Sequence, residues 1–95
     1  MAQELTSKFF EMLAGKPFTV QPSGMLQLIS IDHGVKQPGM ESFSLLFHGP
    51  ISSALGQGMY TLQAEGVDPM EIFLVPLGPL NEYMRYEAIF NIILR

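Results

Sequence analysis

If this chain did chemistry, its two histidines would be the place to start. Asp32-His33 and His48 could give two imidazoles and a carboxylate to a metal, or a general base to a reaction. An enzymatic site also needs a nucleophile or bound water, an oriented base and a stabiliser of developing charge. Asp32, His33 and His48 fall at the ends of predicted strands, with no spacing that fixes their mutual geometry. Glu87 is a second carboxylate that His48 could use. The bland reading, exposed loop side chains, outweighs the reactive one, so the sequence predicts no catalytic residue, no cofactor and no metal.

The stretch "GPISSALGQGMY", from Gly49 to Tyr60, is the other chemical candidate, because three glycines and two serines could cradle a phosphate on backbone amides. It lacks the lysine and the following helix that make such a loop specific. A connection feeding Gly58 into the next strand is the simpler assignment. Arg85 and Glu87 stand two apart, on one face of the last predicted strand. An ion pair with Glu71 or Glu41 on a neighbouring strand is one reading, and the charged rim of a protein interface is the other.

The totals narrow the partners. Five Lys and Arg against nine Asp and Glu leave a net charge of −4, and nucleic acid or anionic membrane would call for clustered cations. No basic run exists. Without cysteine the chain has no disulfide or thiolate chemistry. The start, "MAQELTSKFFEML", lacks the basic end and continuous apolar core of a signal peptide, and no stretch reaches the ~18 apolar residues of a membrane helix. The expectation is a cytoplasmic protein, or one carried in an extracellular or phage-like particle.

The chain has the length of one domain, here residues 1–95. Thr6 or Ser7 can cap a helix of two turns from about residue 7 to 14, with Phe9, Phe10, Met12 and Leu13 as its apolar stripe and Gly15 as its left-handed stop. Such a helix must dock, and its Phe rings are expected to plug one end of a sheet or barrel. Beyond Gly15 the glycines and prolines mark out six strands, near Pro17 to Gln21, Met25 to Asp32, Glu41 to His48, Met59 to Glu65, Met70 to Val75 and Tyr83 to Leu94. Gly49-Pro50 and the prolines from Pro76 are read as strand stops. Connections too short for crossover helices imply antiparallel neighbours. The predicted fold is mainly β, a small antiparallel barrel or sandwich with a short N-terminal helix.

Alternation assigns the core: Phe43, Leu45 and Phe47; Tyr60, Leu62 and Ala64; Met70, Ile72 and Leu74. In the second strand Leu26 and Leu28 share one face while Ile29 and Ile31 fall on the other, which predicts a bulge near Ile29 or burial on both faces. Leu46, Phe73, Val75, Ile89 and Ile93 then land opposite the core. Hydrophobic residues make up 47% of the chain and charged ones 15%, against roughly 25% charged in an ordinary soluble domain. A two-turn helix cannot cover five such side chains, and "AIFNIIL" at the end has high β-propensity with no charge and no proline. The expected interface is Leu46, Phe73, Val75, Ile89 and Ile93 with the Arg85 and Glu87 rim, joining copies of the chain or a protein partner. A small hydrophobic ligand held inside the barrel by Phe43, Leu45, Phe47, Tyr60 and Met70 is the alternative.

Four blocks, "FSLLFHGP" at 43–50, "QGMYTL" at 57–62, "IFLVPLGP" at 72–79 and "MRYEAIFN" at 84–91, resemble those of a family of short uncharacterised bacterial β-rich proteins. The resemblance runs from about Phe9 to Asn91 and includes an "F-x-x-L-x-G-x-x-F" start at Phe10 to Phe18. It implies a small accessory protein, associated with phage-tail-collar-like fibre proteins, and it carries no catalytic residues to transfer. The chain departs from the pattern in its more apolar "NIILR" end and at His48, where the resemblance leads one to expect arginine and with it a role in binding anions.

Overall fold

A computed structural model describes residues 5–21, 23–34 and 37–93. Pro22 of the first strand break and Leu94 of the last predicted strand lie outside the described residues. The chain begins with a helix, α1 (Ser7–Glu11), whose start is capped twice. Thr6 Oγ1 accepts the Phe9 N–H at 3.2 Å, and the Glu41 carboxylate, from a distant strand, accepts the Ser7 N–H at 3.1 Å. The helix is shorter than the two turns predicted. After Glu11 the chain tightens, with Leu13 N–H donating to Phe10 C=O, and Gly15, at φ 82, donates to Leu28 C=O. That bond draws the end of the turn onto the sheet before a second helical turn forms. Met12 is 74% exposed and drops out of the predicted stripe, leaving Phe9, Phe10 and Leu13 to face inward.

Six strands follow: β1 (Pro17–Val20), β2 (Met25–His33), β3 (Met40–Pro50), β4 (Gly58–Ala64), β5 (Met70–Leu80) and β6 (Tyr83–Ile93). All their pairings are antiparallel, and they close into a barrel in the order β1-β2-β3-β6-β5-β4. Of the two architectures predicted, the barrel forms. It consists of two three-stranded meanders, joined where β3 meets β6 and where β1 meets β4. The "HGP" and "LGP" motifs end β3 and lie within β5, which are not matching strands of the two meanders, so they do not record a duplication.

Alternation places Phe43, Leu45 and Phe47 of β3 and Met70, Ile72 and Leu74 of β5 in the core, as the sequence predicts. Tyr60 is only half-buried. In β2 the register shifts between Leu28 and Ser30, the expected bulge, so Leu28 lies opposite Phe47 and Ile31 opposite Leu45. One extra residue thus carries Ile31 onto the same side as Leu26 and Leu28. Phe10 is fully buried and packs on Phe43 and Phe90, which face each other across β3 and β6 with rings stacked 4.9 Å apart. The predicted aromatic plug forms.

Of two strand stops expected from the sequence, Gly49-Pro50 does end its strand, though as its last two paired residues, and the prolines from Pro76 are strand interior instead. β3 continues through Gly49 to Pro50, which pairs with Tyr83. A Cβ at Gly49 would stand 2.6 Å from Leu26 Cδ2, so here glycine is a packing requirement and not a break. β5 continues through Pro76 to Leu80 because it changes neighbours: its pairs with β4 end at Leu74 and its pairs with β6 begin at Val75. The prolines lie in the half with one open margin, where a missing N–H costs least. Gly78, at φ 98, completes a bulge after Pro76. The turn to β6 is Asn81-Glu82, and Asn81 takes φ 57, a left-handed conformation that asparagine tolerates.

Candidate interaction surface

The chemical candidates disperse in the fold. Asp32 lies opposite Ser44 on β3, four residues from His48 along that strand, which separates their backbones by roughly 13 Å. Glu87 lies opposite Leu46, diagonal to His48. His48 is neither loop nor strand end: it sits within β3, opposite Arg85, and its ring stacks on Tyr83 with centroids 5.3 Å apart. His33 faces Glu11 of α1 at 3.9 Å, both half exposed. Among the described residues no group of three or more His, Cys, Asp or Glu could hold a metal ion.

The stretch from Ile51 to Gln57 is a crossover from β3 to β4, opening with a single 3-10 turn at Ile51–Ser53. Two tyrosines hold it. Tyr86, buried in the barrel, accepts the Leu55 N–H on its hydroxyl at 2.7 Å, and Tyr60 donates to Gly56 C=O at 2.7 Å. Its glycines and serines therefore serve a tethered connection.

The seven residues singled out as an interface all point away from the core. In one row across the sheet, Leu46 of β3, Glu87 of β6 and Val75 of β5 are neighbours, all half-buried. Beyond this row β5 and β6 no longer pair; Ser44 of β3 lies opposite Ile89 of β6, and Met59 of β4 lies opposite Phe73 of β5. Ile89 is 65% exposed, Ile93 77%, Met59 60% and Phe73 45%. Met40 lies opposite Ile93 at the end of the β3 and β6 ladder. Met59 was legible in the sequence, since it alternates with Tyr60, but its place next to Phe73 depends on the register of β4 against β5.

Arg85 does not form the ion pair with Glu71 or Glu41 that is one of its two readings. Its guanidinium donates to the carbonyls of Leu77 and Gly78, both at 3.4 Å. Both carbonyls lie at the β5 bulge, where the register shifts between Pro76 and Gly78. Glu41, one of the proposed partners, is engaged at the helix start, and Glu71 lies opposite Thr61 on the far side of β5. Arg85 thus fixes the β5 and β6 hairpin from within one chain.

A concavity lies on the barrel wall. It holds about 450 Å³ between Pro17, Met25, Gln27, Pro50 and the stacked His48 and Tyr83. The barrel interior itself is occupied by its own side chains: Phe10, Phe18, Phe47, Leu45, Leu62 and Leu74 are all almost wholly buried. Phe43, Leu45, Phe47 and Met70, offered above as the lining of a ligand cavity, pack in this cluster.

The chain also matches a protein family. The model of a domain of unknown function, DUF6916, matches residues 5–90. The chain belongs to that family. The match to DUF6916 begins at the capped start of α1 and ends in β6, so it spans the barrel up to Phe90. No curated protein and no solved structure matches the chain. Among the described residues no helix is long and apolar enough to cross a membrane.

Proposed function

We propose that this DUF6916 chain is a non-enzymatic assembly protein, which associates with copies of itself or with a protein partner through the outer face of β5 and β6. The observation that carries the reading is the exposure of Ile89 and Ile93 on a strand whose other face is committed to the core. Side chains of this size contribute about 1.5 to 3 kcal/mol each when fully removed from water. Together with the exposed Phe73 of β5 and Met59 of β4, they supply the apolar part of an interface, and Glu87 and Arg85 supply a polar rim. The phage-tail-collar-like fibre protein implied by the sequence resemblance is a candidate for the partner.

The test is the mass of the purified chain in solution at micromolar concentration, by light scattering. An assembly is expected for the natural sequence. Changing Ile89 and Ile93 together to Lys should disperse it and leave the circular dichroism and unfolding midpoint near those of the parent. A natural chain that is strictly monomeric and retains no protein from its native cell would reject the reading.

A further inference from the structure

Association is assigned above to the face of β5 and β6, where the β5 pairs stop at Glu87 and, among the described residues, leave the margin of β6 beyond it bare. The concavity beside His48 and Tyr83 lies at the opposite end of β6, on the outer wall and apart from the filled interior. Its origin is a parting of strands. β3 stays paired with β6 as far as Pro50 and Tyr83, but its pairs with β2 stop at His48 and Gln27. Alternation then shapes what the gap contains. Leu26 turns its side chain into the core, and Gly49 turns inward the bare position that Leu26 and Tyr86 crowd, so at these two residues only backbone is left on the outer side. Around that floor stand Pro17, Met25, Gln27, His48, Pro50 and Tyr83. The hollow they enclose measures about 450 Å³, within the roughly 300 to 1,000 Å³ of sites that hold small molecules.

The chemistry of the lining selects the ligand. Pro17, Met25 and Pro50 offer apolar surface, and His48 and Tyr83 offer two rings whose planes differ by 23°. Together they suit a flat, apolar body. The carboxylate in the lining is that of Glu82, in the turn that leads into β6; it is exposed and makes no ion pair among the described residues. No lysine or arginine lines the hollow. Arg85, opposite His48 on β6, is engaged by the Leu77 and Gly78 carbonyls of β5. Gln27 donates to Gly15 C=O at 3.0 Å and keeps its amide oxygen to accept. An anion entering here would meet Glu82 and no fixed positive charge. A cation would find acceptors, a carboxylate and an aromatic ring, whose quadrupole also attracts positive charge. We propose that this hollow binds a small organic cation, an ammonium group carried on an aromatic body, with the body against Met25 and Tyr83 and the ammonium at Glu82.

Probes of one size that differ in charge give the test: benzylamine, which is protonated at neutral pH, benzyl alcohol and benzoate. Binding is read by NMR on the methionine methyl groups of the full chain, where the ring of a bound probe shifts the Met25 signal and Met12, exposed on the turn after α1, serves as the control in the same spectrum. Benzylamine should move Met25 and not Met12, and should bind about fivefold more tightly than benzyl alcohol. Benzoate should be the weakest. Glu82→Gln should bring benzylamine down to the level of the alcohol, whereas Glu71→Gln, the same loss of charge at an exposed position of β5, should not. Tyr83→Phe keeps the ring and should bind as the parent does, and Tyr83→Leu should lose affinity for benzylamine. Equal binding of the three probes, or a preference for benzylamine that survives Glu82→Gln, would overturn the assignment of a cation. A Met25 signal that responds to none of them would overturn the site itself. Neither outcome depends on whether the chain associates.

Discussion

At Gly49 the absence of a side chain decides the packing of the barrel wall. The residue is buried between Leu26 and Tyr86, and even one methyl would overlap Leu26 Cδ2 and crowd Tyr86 Cε2, 3.4 Å away. Leucine can give way only by leaving its rotamer in a filled core, so Gly49→Ala should cost about 1 to 3 kcal/mol, read as a lower urea midpoint with unchanged slope. The two tyrosines that hold the crossover should differ from each other. Tyr86→Phe removes the acceptor of the part-buried Leu55 N–H and leaves that donor unpaired, a loss of about 1 to 3 kcal/mol. Tyr60→Phe frees an exposed Gly56 carbonyl that water can satisfy, and should stay within about 0.5 kcal/mol. Equal losses in the two variants would show that burial of the partner is not what sets the cost. Arg85 shows the limit of reading such residues from sequence. Its charge and spacing suggested a carboxylate partner, but the carbonyls it finds lie at a bulge that only the folded β5 creates.

At the scale of the element, α1 is a plug more than a helix. Five residues cannot sustain helical structure alone, so its stability is that of its contacts: Phe10 against Phe43 and Phe90, Thr6 and Glu41 at its start. Phe10→Ala should cost about 3 to 5 kcal/mol and Thr6→Ala about 1 kcal/mol, both measured by chemical unfolding. If Phe10→Ala costs no more than the cap, the helix is not closing the barrel. The existence of the helix, the six strands and the bulge near Ile29 were legible because each rests on local rules of capping and alternation. Strand ends were not. Gly49, Pro50, Pro76 and Pro79 carry the same local signal as a true turn, and what distinguishes them is whether a neighbouring strand needs their N–H or the space of a Cβ. Those are facts about register, which a single strand does not contain. The outward direction of Ile89 and Ile93 was legible for the same reason as the core, since it is the other half of the alternation. That β5 leaves β6 below Val75 was not legible, and it is the feature that bares the margin.

For the whole molecule, closure of the barrel is a problem of edges. Two meanders of unequal strands cannot cover every margin: β1 has four residues and β4 seven, while β3, β5 and β6 have eleven each. The long strands therefore overhang at both ends, where β5 is bare at one end and β6 at the other. If the overhangs are assigned different fates, one blocked and one used for association, then the prolines of β5 belong to the assembly as much as to the fold. Replacing Pro76 and Pro79 together by Val restores two N–H groups and adds two β-branched side chains to that stretch. The monomer should fold with its core intact, because neither proline belongs to the buried cluster. Its mass in solution should change instead. With two open margins per molecule an association through them no longer closes on itself, and light scattering should show particles growing with concentration. Adding Ile89→Lys and Ile93→Lys to the same chain should stop growth at small species, since only the β5 margin then remains. A proline-free variant that keeps the mass of its parent would mean that the bulge at Gly78, with Arg85 capping its carbonyls, is enough to keep β5 closed.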